Sequence, residues 1–213
     1  MRRARVERQT RETQVSVELN LDGAGLVEVS TGIGFFDHLL EAFAFHAGFD
    51  LRVSARGDLE VDGHHTVEDV GICLGRALRA ALGSGEGICR WGWCLLPMDE
   101  ALAEVAVDAG GRSFLAYRVP SPDRSLGPFH CEMAAEFWRA LVRESGLTMH
   151  VSLRWGENVH HILEAVWKAA GVALAQAVRA EPRRQGVPST KGSPRSEEAP
   201  VSGGADGGRE GAR

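Results

Sequence analysis

The sequence predicts an α+β fold, formed by tandem duplication of a β-β-α-β-β-α-like unit with sheets and helices packed in layers. Two observations support this prediction. The pattern His-His-x-x-Glu begins at His64 and again at His160, and seven of fifteen positions in 64–78 are identical in 160–174. The predicted elements before each copy also follow the same order. Chance identity between helix-rich segments does not easily account for both observations.

The first half of the predicted duplication covers residues 1–90. Residues 13–23, TQVSVELNLDG, alternate apolar and polar side chains and end at Asp-Gly, which is typical of a half-buried strand followed by a turn. The elements expected next are a hairpin partner in LVEVS (26–30), a helix over 35–47, strand–turn–strand in FDLRVSARGDLEVDG (49–63) and a helix over 64–82.

The second half covers residues 91–181 and repeats these patterns. Strand alternation returns in LAEVAVDAGGRSFLAYRV (102–119), followed by a helix in MAAEFWRALVRES (133–145) that ends at Gly146. A strand in LTMHVSLRWG (147–156) and a closing helix over 159–178 complete the unit.

The composition changes at Pro182, where a tail of residues 182–213 begins. It is rich in Pro, Gly, Ser and charged residues, so most of it cannot bury enough apolar surface to offset its ordering entropy. One island, PSTKG (188–192), carries two hydroxyls and a lysine that could order on an anion. We expect disorder after about residue 193.

Charge and hydropathy exclude several classes of function. The net charge of −5 gives no basic surplus for binding nucleic acid, and no apolar run is long enough to span a membrane. The four cysteines form no C-x-x-C pair, and no secretory segment precedes them. These features predict reduced thiols in a cytoplasmic protein.

The paired histidines suggest metal binding. On a helix, His64 and Glu68 share a face, whereas His64 and His65 point about 100° apart, so adjacent histidines suit two different ions. Imidazole with carboxylate suits Mn, Fe, Zn or Ni. The second copy, with His160, His161 and Glu164, raises the prior for a metal site, although duplicated helix-capping histidines remain an alternative.

The alignment of the two halves extends the ligand set. His38, in the first helix, falls opposite Glu136 in MAAEFWRALVRES. Pseudo-symmetry therefore predicts one further ligand from each half, an imidazole and a carboxylate. Considered alone, Glu136 would be interpreted as a solvated helix residue.

Several motifs together resemble those of the imidazoleglycerol-phosphate dehydratase family. They are RQTRET (8–13), TGIGFFDHLL (31–40), GDLEVDGHHTVEDVGICLGRAL (57–78), PMDEAL (97–102), GGR (110–112), HHILEAVWKA (160–169) and PSTKG (188–192). The resemblance implies a duplicated α+β fold and a homo-oligomer of twenty-four subunits with active sites between subunits. It also implies two Mn²⁺ ions per active site.

The resemblance implies two ligand sets. One comprises His38, His65, His160 and Glu164; the other comprises His64, Glu68, His161 and position 136, where many relatives carry His and this chain has Glu136. The implied reaction removes water from imidazole glycerol phosphate, a small phosphorylated imidazole, with the ring bound as imidazolate to two metals.

The same resemblance assigns further roles. Glu12 is implied as the acid/base for the C2 proton, and His46 is expected to line the site. The implied phosphate ligands are Arg90, Arg112, Ser189, Thr190 and Lys191. Two alternatives remain at this point: a dimetal hydrolase, and a structural oligomer that metal assembles without catalysis.

Overall fold

The computed structural model describes residues 2–183 and 186–189. The elements, in chain order, are β1 (Arg3–Gln9), β2 (Thr13–Asn20), β3 (Val27–Ser30), α1 (Gly34–Ala47), β4 (Asp50–Gly57), α2 (His64–Leu82), β5 (Trp91–Met98), β6 (Ala101–Asp108), β7 (Phe114–Arg118), β8 (Ser125–Leu126), β9 (Phe129–His130), α3 (Met133–Ser145), β10 (Thr148–Trp155) and α4 (Val159–Val178). The predicted α+β class is confirmed.

The two halves share one topology. The first sheet has the strand order β1-β2-β4-β3, and the second has the order β5-β6-β10-β7. In each sheet the first two pairings are antiparallel and the last is parallel. The order within a half is therefore β-β-β-α-β-α, and only the short hairpin β8–β9 lacks a counterpart.

Two strand predictions in the first half were wrong. Segment 26–30 does form β3, but it pairs in parallel with β4 and not with β2. The backbone N–H groups of Ala24 and Leu26 donate to Oδ1 of Asp50, at 2.8 and 3.1 Å, which carries the chain across to the far side of β4. Residues 59–63 form a turn and not a strand, because the backbone N–H of Val61 donates to the backbone O of Asp58 at 2.8 Å. Oδ1 of Asp62 accepts the backbone N–H of His64, the first residue of α2. Strands β1 and β5 were not predicted.

The helices lie between the two sheets and pair across the halves. Helix α2 packs on β1 and β2, and α4 packs on β5 and β6, while α1 contacts α4 and α2 contacts α3. Glycines allow close approach: a Cβ at Gly75 would lie 2.6 Å from the backbone O of Leu141, and one at Gly171 would lie 2.3 Å from that of Phe43. Each helix pair therefore combines residues from both halves of the chain.

The outer faces of the two sheets differ in chemistry. Arg3, Arg5 and Glu7 point outward on β1, whereas Trp91, Trp93 and Leu95 occupy the matching positions on β5. The last three are 55%, 69% and 50% exposed. An exposed apolar patch of this kind on one face usually marks an interaction surface.

A membrane-spanning helix is not found among the described residues, because none of their helices combines the required length with the required apolar character.

Candidate metal centre and active site

Three metal-competent side chains meet where α1 packs on α4. The Nε2 atoms of His38 and His160 lie 3.2 and 3.1 Å from the same Oε2 atom of Glu164. The ligand atoms of all three residues lie within 4.8 Å of one another. His160 and Glu164 are four residues apart on α4, so the helix places them on one face, and His38 reaches them from the first half of the chain. We call these three residues the α1/α4 half-site.

The carboxylate of Glu164 is buried and ionised. Only 7% of the residue is exposed. Burial alone would raise its pKa, but the ammonium of Lys168 and the nearby imidazole of His38 outweigh this effect and hold the pKa at about 2. The Nζ atom of Lys168 lies 2.7 Å from Oε1 of Glu164. The carboxylate therefore carries its negative charge at neutral pH, as a metal ligand requires.

The α1/α4 half-site fits a cation. The Nε2 atom of His38 is buried and makes no hydrogen bond within the described residues, although it lies 3.2 Å from Oε2 of Glu164. The ionised carboxylate of Glu164 only accepts hydrogen bonds, so it cannot donate a proton to a lone pair on Nε2 of His38. A divalent metal with nitrogen and oxygen ligands would satisfy all three side chains at once.

A second, looser group lies on α2 and α3, in the position that the duplication relates to the first. The Nε2 atom of His64 lies 3.9 Å from Oε2 of Glu68. Glu136 is on α3 where α1 carries His38, but its carboxylate forms an ion pair with Arg139 one turn further along. We call His64, Glu68 and Glu136 the α2/α3 half-site, and in it the structure brings only the first two together.

His65 and His161 point away from the half-sites that contain their neighbours, His64 and His160. The rings of each adjacent pair are nearly perpendicular, at 88° for His64 and His65 and 84° for His160 and His161. The Nδ1 atom of His65 lies 3.1 Å from Oδ2 of Asp58, and that of His161 lies 2.8 Å from Oε2 of Glu100. Within one chain, neither histidine joins the half-site in which the family pattern implies it.

These carboxylates change the protonation of the two histidines. The hydrogen bond with Asp58 raises the pKa of His65, and the hydrogen bond with Glu100 raises the pKa of His161. The same bond with His161 holds the pKa of Glu100 at about 2. Contact of Nδ1 with a carboxylate orients each ring and leaves Nε2 as the nitrogen that can bind a metal.

The α1/α4 half-site lies between two clefts. One has a volume of ≈ 660 Å³ and is lined by His38, His160, Glu164, Phe35 and the β8–β9 turn. The other, of ≈ 440 Å³, adds three charged or titratable side chains: Glu41, His46 and Lys168. Burial and the charge of Lys168 lower the pKa of His46.

Glu12 lies in the turn between β1 and β2. Its side chain is 56% exposed, and its Oε2 lies 3.9 Å from Nδ1 of His65. The carboxylate makes no hydrogen bond within residues 2–183 and 186–189. The carboxylate faces the outward-pointing His65 and not the α1/α4 half-site of its own chain.

The predicted phosphate ligands are only partly described. Nε of Arg90 donates to Oδ1 of Asp108 at 2.7 Å, and its Nη1 donates to the backbone O of Pro188 at 2.7 Å. Arg90 therefore lies against the start of PSTKG, beside Ser189. Arg112 is exposed, and its backbone O accepts from Thr148. Thr190 and Lys191 lie outside the described residues.

Comparisons with known proteins identify the family of this chain. The family description "Imidazoleglycerol-phosphate dehydratase" matches residues 31–174, which contain every histidine and carboxylate of the two half-sites. The chain belongs to the imidazoleglycerol-phosphate dehydratase family. The prediction of family from sequence motifs is confirmed, and with it an enzyme of the hydro-lyase class.

Relatives named imidazoleglycerol-phosphate dehydratase cover nearly the whole chain. The protein of Desulfitobacterium hafniense (strain Y51) is 55% identical over 90% of this chain and 98% of its own length. That of Methanopyrus kandleri is 53% identical over 91% of this chain and 96% of its own. Both comparisons extend beyond the match to the family description.

Two crystal structures of the dehydratase have the same fold. The Staphylococcus aureus subsp. aureus N315 enzyme superimposes with a TM-score of 0.76 and 35% identity, covering 84% of this chain and 99% of that one. The Pyrococcus furiosus enzyme, in complex with (S)-C348, gives a TM-score of 0.76 and 38% identity over 88% and 99%.

Sequence reasoning missed two side chains of the candidate site. Lys168 follows Glu164 by four residues, so helical spacing could have placed it beside that carboxylate. Asp58 follows β4 and reaches His65 only after the turn at 58–63 folds back, and no local pattern indicates that contact.

Proposed function

We propose that this chain dehydrates D-erythro-imidazole glycerol 3-phosphate to imidazole acetol phosphate in L-histidine biosynthesis. The observation that carries the proposal is the convergence of His38 and His160 on the buried carboxylate of Glu164, in a chain of the dehydratase family. This group can hold a metal, which would act as a Lewis acid in a dehydration at a carbon that bears no acidic proton.

We further propose that each active site holds two Mn²⁺ ions. His38, His160 and Glu164 would supply three ligands to one ion, and His65 of a second copy of the chain the fourth. His64, Glu68 and Glu136 would bind the other ion, with His161 of a second copy. Two observations support sharing between copies: neither half-site has a fourth ligand among the described residues, and His65 and His161 point outward with Nδ1 already engaged.

The bound ions would act as Lewis acids and hold the substrate ring as imidazolate. Side chains of the protein would carry out the remaining functions. Glu12 would remove the C2 proton of the substrate, since its carboxylate is exposed beside His65 and has no hydrogen-bond partner among the described residues. His46 and Lys168, in the cleft next to Glu164, would face the substrate as an imidazole and a cation.

The phosphate group would bind a cationic pocket. We assign Arg90, Arg112, Ser189, Thr190 and Lys191 to it. The support from the structure is that the guanidinium of Arg90 already holds Pro188, the first residue of PSTKG. Arginine offers a planar fork to phosphate oxygens, and lysine adds a point charge.

We propose a homo-oligomer, of twenty-four subunits as in the family, located in the cytoplasm. The apolar outer face of the second sheet supports assembly, because Trp91, Trp93 and Leu95 are exposed where β1 carries charged residues. Two features of the single chain therefore favour an oligomer: the apolar outer face of the second sheet, and the outward-pointing His65 and His161.

The proposal is tested by incubating the purified protein with Mn²⁺ and imidazole glycerol phosphate. Formation of the ketone product, loss of activity with a chelator and recovery with Mn²⁺ are expected. Release of inorganic phosphate instead would identify a dimetal hydrolase. Chelation that dissociates the particle, in a protein with no turnover of either kind, would identify a structural oligomer.

A further inference from the structure

A buried polar triad joins α2 to the turn that carries Glu12. Asp69, on α2, is only 7% exposed. Its Oδ1 accepts from Nε of Arg8 at 2.8 Å, and its Oδ2 accepts from the hydroxyl of Thr13. None of these three residues belongs to the proposed metal or substrate sites, although Asp69 directly follows Glu68.

The hydrogen bonds are donated in one direction, from the backbone of Glu12 towards Asp69. Because the Thr13 hydroxyl donates to Asp69, its oxygen is left to accept from the hydroxyl of Thr10, 3.2 Å away. The Thr10 oxygen in turn accepts the backbone N–H of Glu12 at 3.1 Å and that of Thr13 at 2.9 Å. The turn over residues 10–13 is therefore anchored to α2 through side chains.

The second half of the chain has the same fold without this triad. Cross-strand register places Leu96 where β1 has Arg8 and Ala101 where β2 has Thr13. The helix alignment places Ala165 where α2 has Asp69. All three polar residues are thus replaced together by apolar ones, and Leu96, Ala101 and Ala165 pack in or against the core.

This internal comparison separates the triad from the needs of the fold. A buried carboxylate is costly unless it is paired, and replacing a complete buried ionic group by apolar residues is often neutral or stabilising. In the second half, three apolar side chains fill the equivalent position, and the fold is the same. The acid in the matching turn, Glu100, is held differently, since its own carboxylate accepts the backbone N–H of Asn158 at 2.7 Å. Among the described residues the carboxylate of Glu12 has no hydrogen-bond partner, so its position depends on its backbone.

We propose that Asp69 is a positioning residue that, through Thr13 and Thr10, fixes the backbone of Glu12 for proton transfer. This inference rests on the proposed dehydration. Misplacement of a reacting group by about 1 Å can cost roughly 100-fold in rate. Loss of the triad therefore lowers kcat and leaves the substrate-binding groups in place.

The test copies the second half into the first with the triple variant R8L/T13A/D69A. We expect it to fold, assemble and bind Mn²⁺ like the parent, with KM within about twofold and kcat lowered by roughly 10- to 100-fold. The kinetic isotope effect with C2-deuterated substrate should rise, because proton transfer becomes slower. In a Glu12→Gln background the same triple change should cause no further loss of kcat.

A structural measurement keeps the inference separate from the proposed function. Hydrogen–deuterium exchange of the amides at 10–13 should be faster in the triple variant, while that of the matching turn at 98–101 should be unchanged, whatever reaction the parent catalyses. A parent with no dehydratase activity would contradict the proposed function, whereas unchanged exchange at 10–13 would contradict the positioning role alone.

Several outcomes would overturn the inference. They are parental kcat in the triple variant, an equal loss of kcat with Glu12→Gln present, and failure of the triple variant to fold, since the triad would then serve the fold. The single change Thr13→Val, which removes the hydroxyl and retains the shape, should reproduce the loss of kcat and the faster exchange.

Discussion

The Nδ1 atom of His65 lies 3.1 Å from Oδ2 of Asp58, at the point where α2 begins. This contact raises the pKa of His65. A metal binds only the neutral imidazole, so protons compete with the metal up to a higher pH than they would at an ordinary histidine. The carboxylate has a second effect, because it orients the ring and increases its basicity as a ligand.

Asp58→Asn should separate these two effects. The pKa of His65 should fall toward its ordinary value, so the pH below which protonation begins to weaken Mn²⁺ affinity should move lower. Affinity at pH 8 should fall by about 10- to 100-fold, because the orienting carboxylate is lost. Manganese titrations followed by electron paramagnetic resonance between about pH 5 and 8 measure both quantities. Asp123→Asn, at an exposed carboxylate beside His130, is the control. An upward shift in the pH at which proton competition begins would contradict the assignment.

Glu164→Gln should remove a ligand from the α1/α4 half-site. Loss of a residue that only hydrogen-bonds to a metal ligand lowers metal affinity by about 10- to 100-fold. Loss of a direct ligand should therefore lower it by at least the upper end of that range. Isothermal titration with Mn²⁺ measures the change without reference to activity. Glu157→Gln, near the start of the same helix, should bind Mn²⁺ as the parent does. Equal affinity in both variants would show that Glu164 is not a ligand.

How far the sequence predicted the site depends on the range of the contacts. Glu164 lies beside His160 because of helical spacing alone. The internal repeat indicated His38 only as one further ligand, opposite Glu136, and the family resemblance grouped it with His160 and Glu164. Asp58 was missed because its contact with His65 depends on how a turn folds back onto the start of α2.

Strand pairing was the weaker part of the fold prediction for the same reason. The segment that forms β3 has strand character, but its partner is decided by Asp50, which holds Ala24 and Leu26 at the far side of β4. That choice depends on a contact across 24 to 26 residues of sequence, as those two hydrogen bonds show. The helices were predicted with more success, because their periodicity and terminal glycines are local signals.

Glu12→Gln should lower kcat by roughly 100- to 10,000-fold, the range typical of general acid–base catalysis, with little change in KM. The variant keeps the size and shape of the side chain but cannot take up the C2 proton. Steady-state kinetics with imidazole glycerol phosphate measure both constants. Glu7→Gln, at an exposed position on β1, should retain parental values. A Glu12 variant with changed KM and normal kcat would point to a binding role instead.

Trp93→Lys should disrupt assembly through the apolar face of the second sheet. The side chain is 69% exposed, and a charge there would have to be desolvated at an interface. Particle mass from size-exclusion chromatography with light scattering should fall. Arg5→Ala changes the matching position on the first sheet and should leave the mass unchanged. Parental mass for Trp93→Lys would place the interface elsewhere.

The central claim, that copies of the chain share each metal site, is tested most directly by complementation. His65→Ala and Glu164→Gln should each be inactive alone. Subunits of the two variants, dissociated by chelation, mixed in equal amounts and reassembled with Mn²⁺, should regain about a quarter of parental activity, because random pairing joins an intact Glu164 to an intact His65 in that fraction of sites. A reassembled mixture with no more activity than the two variants alone would contradict shared sites.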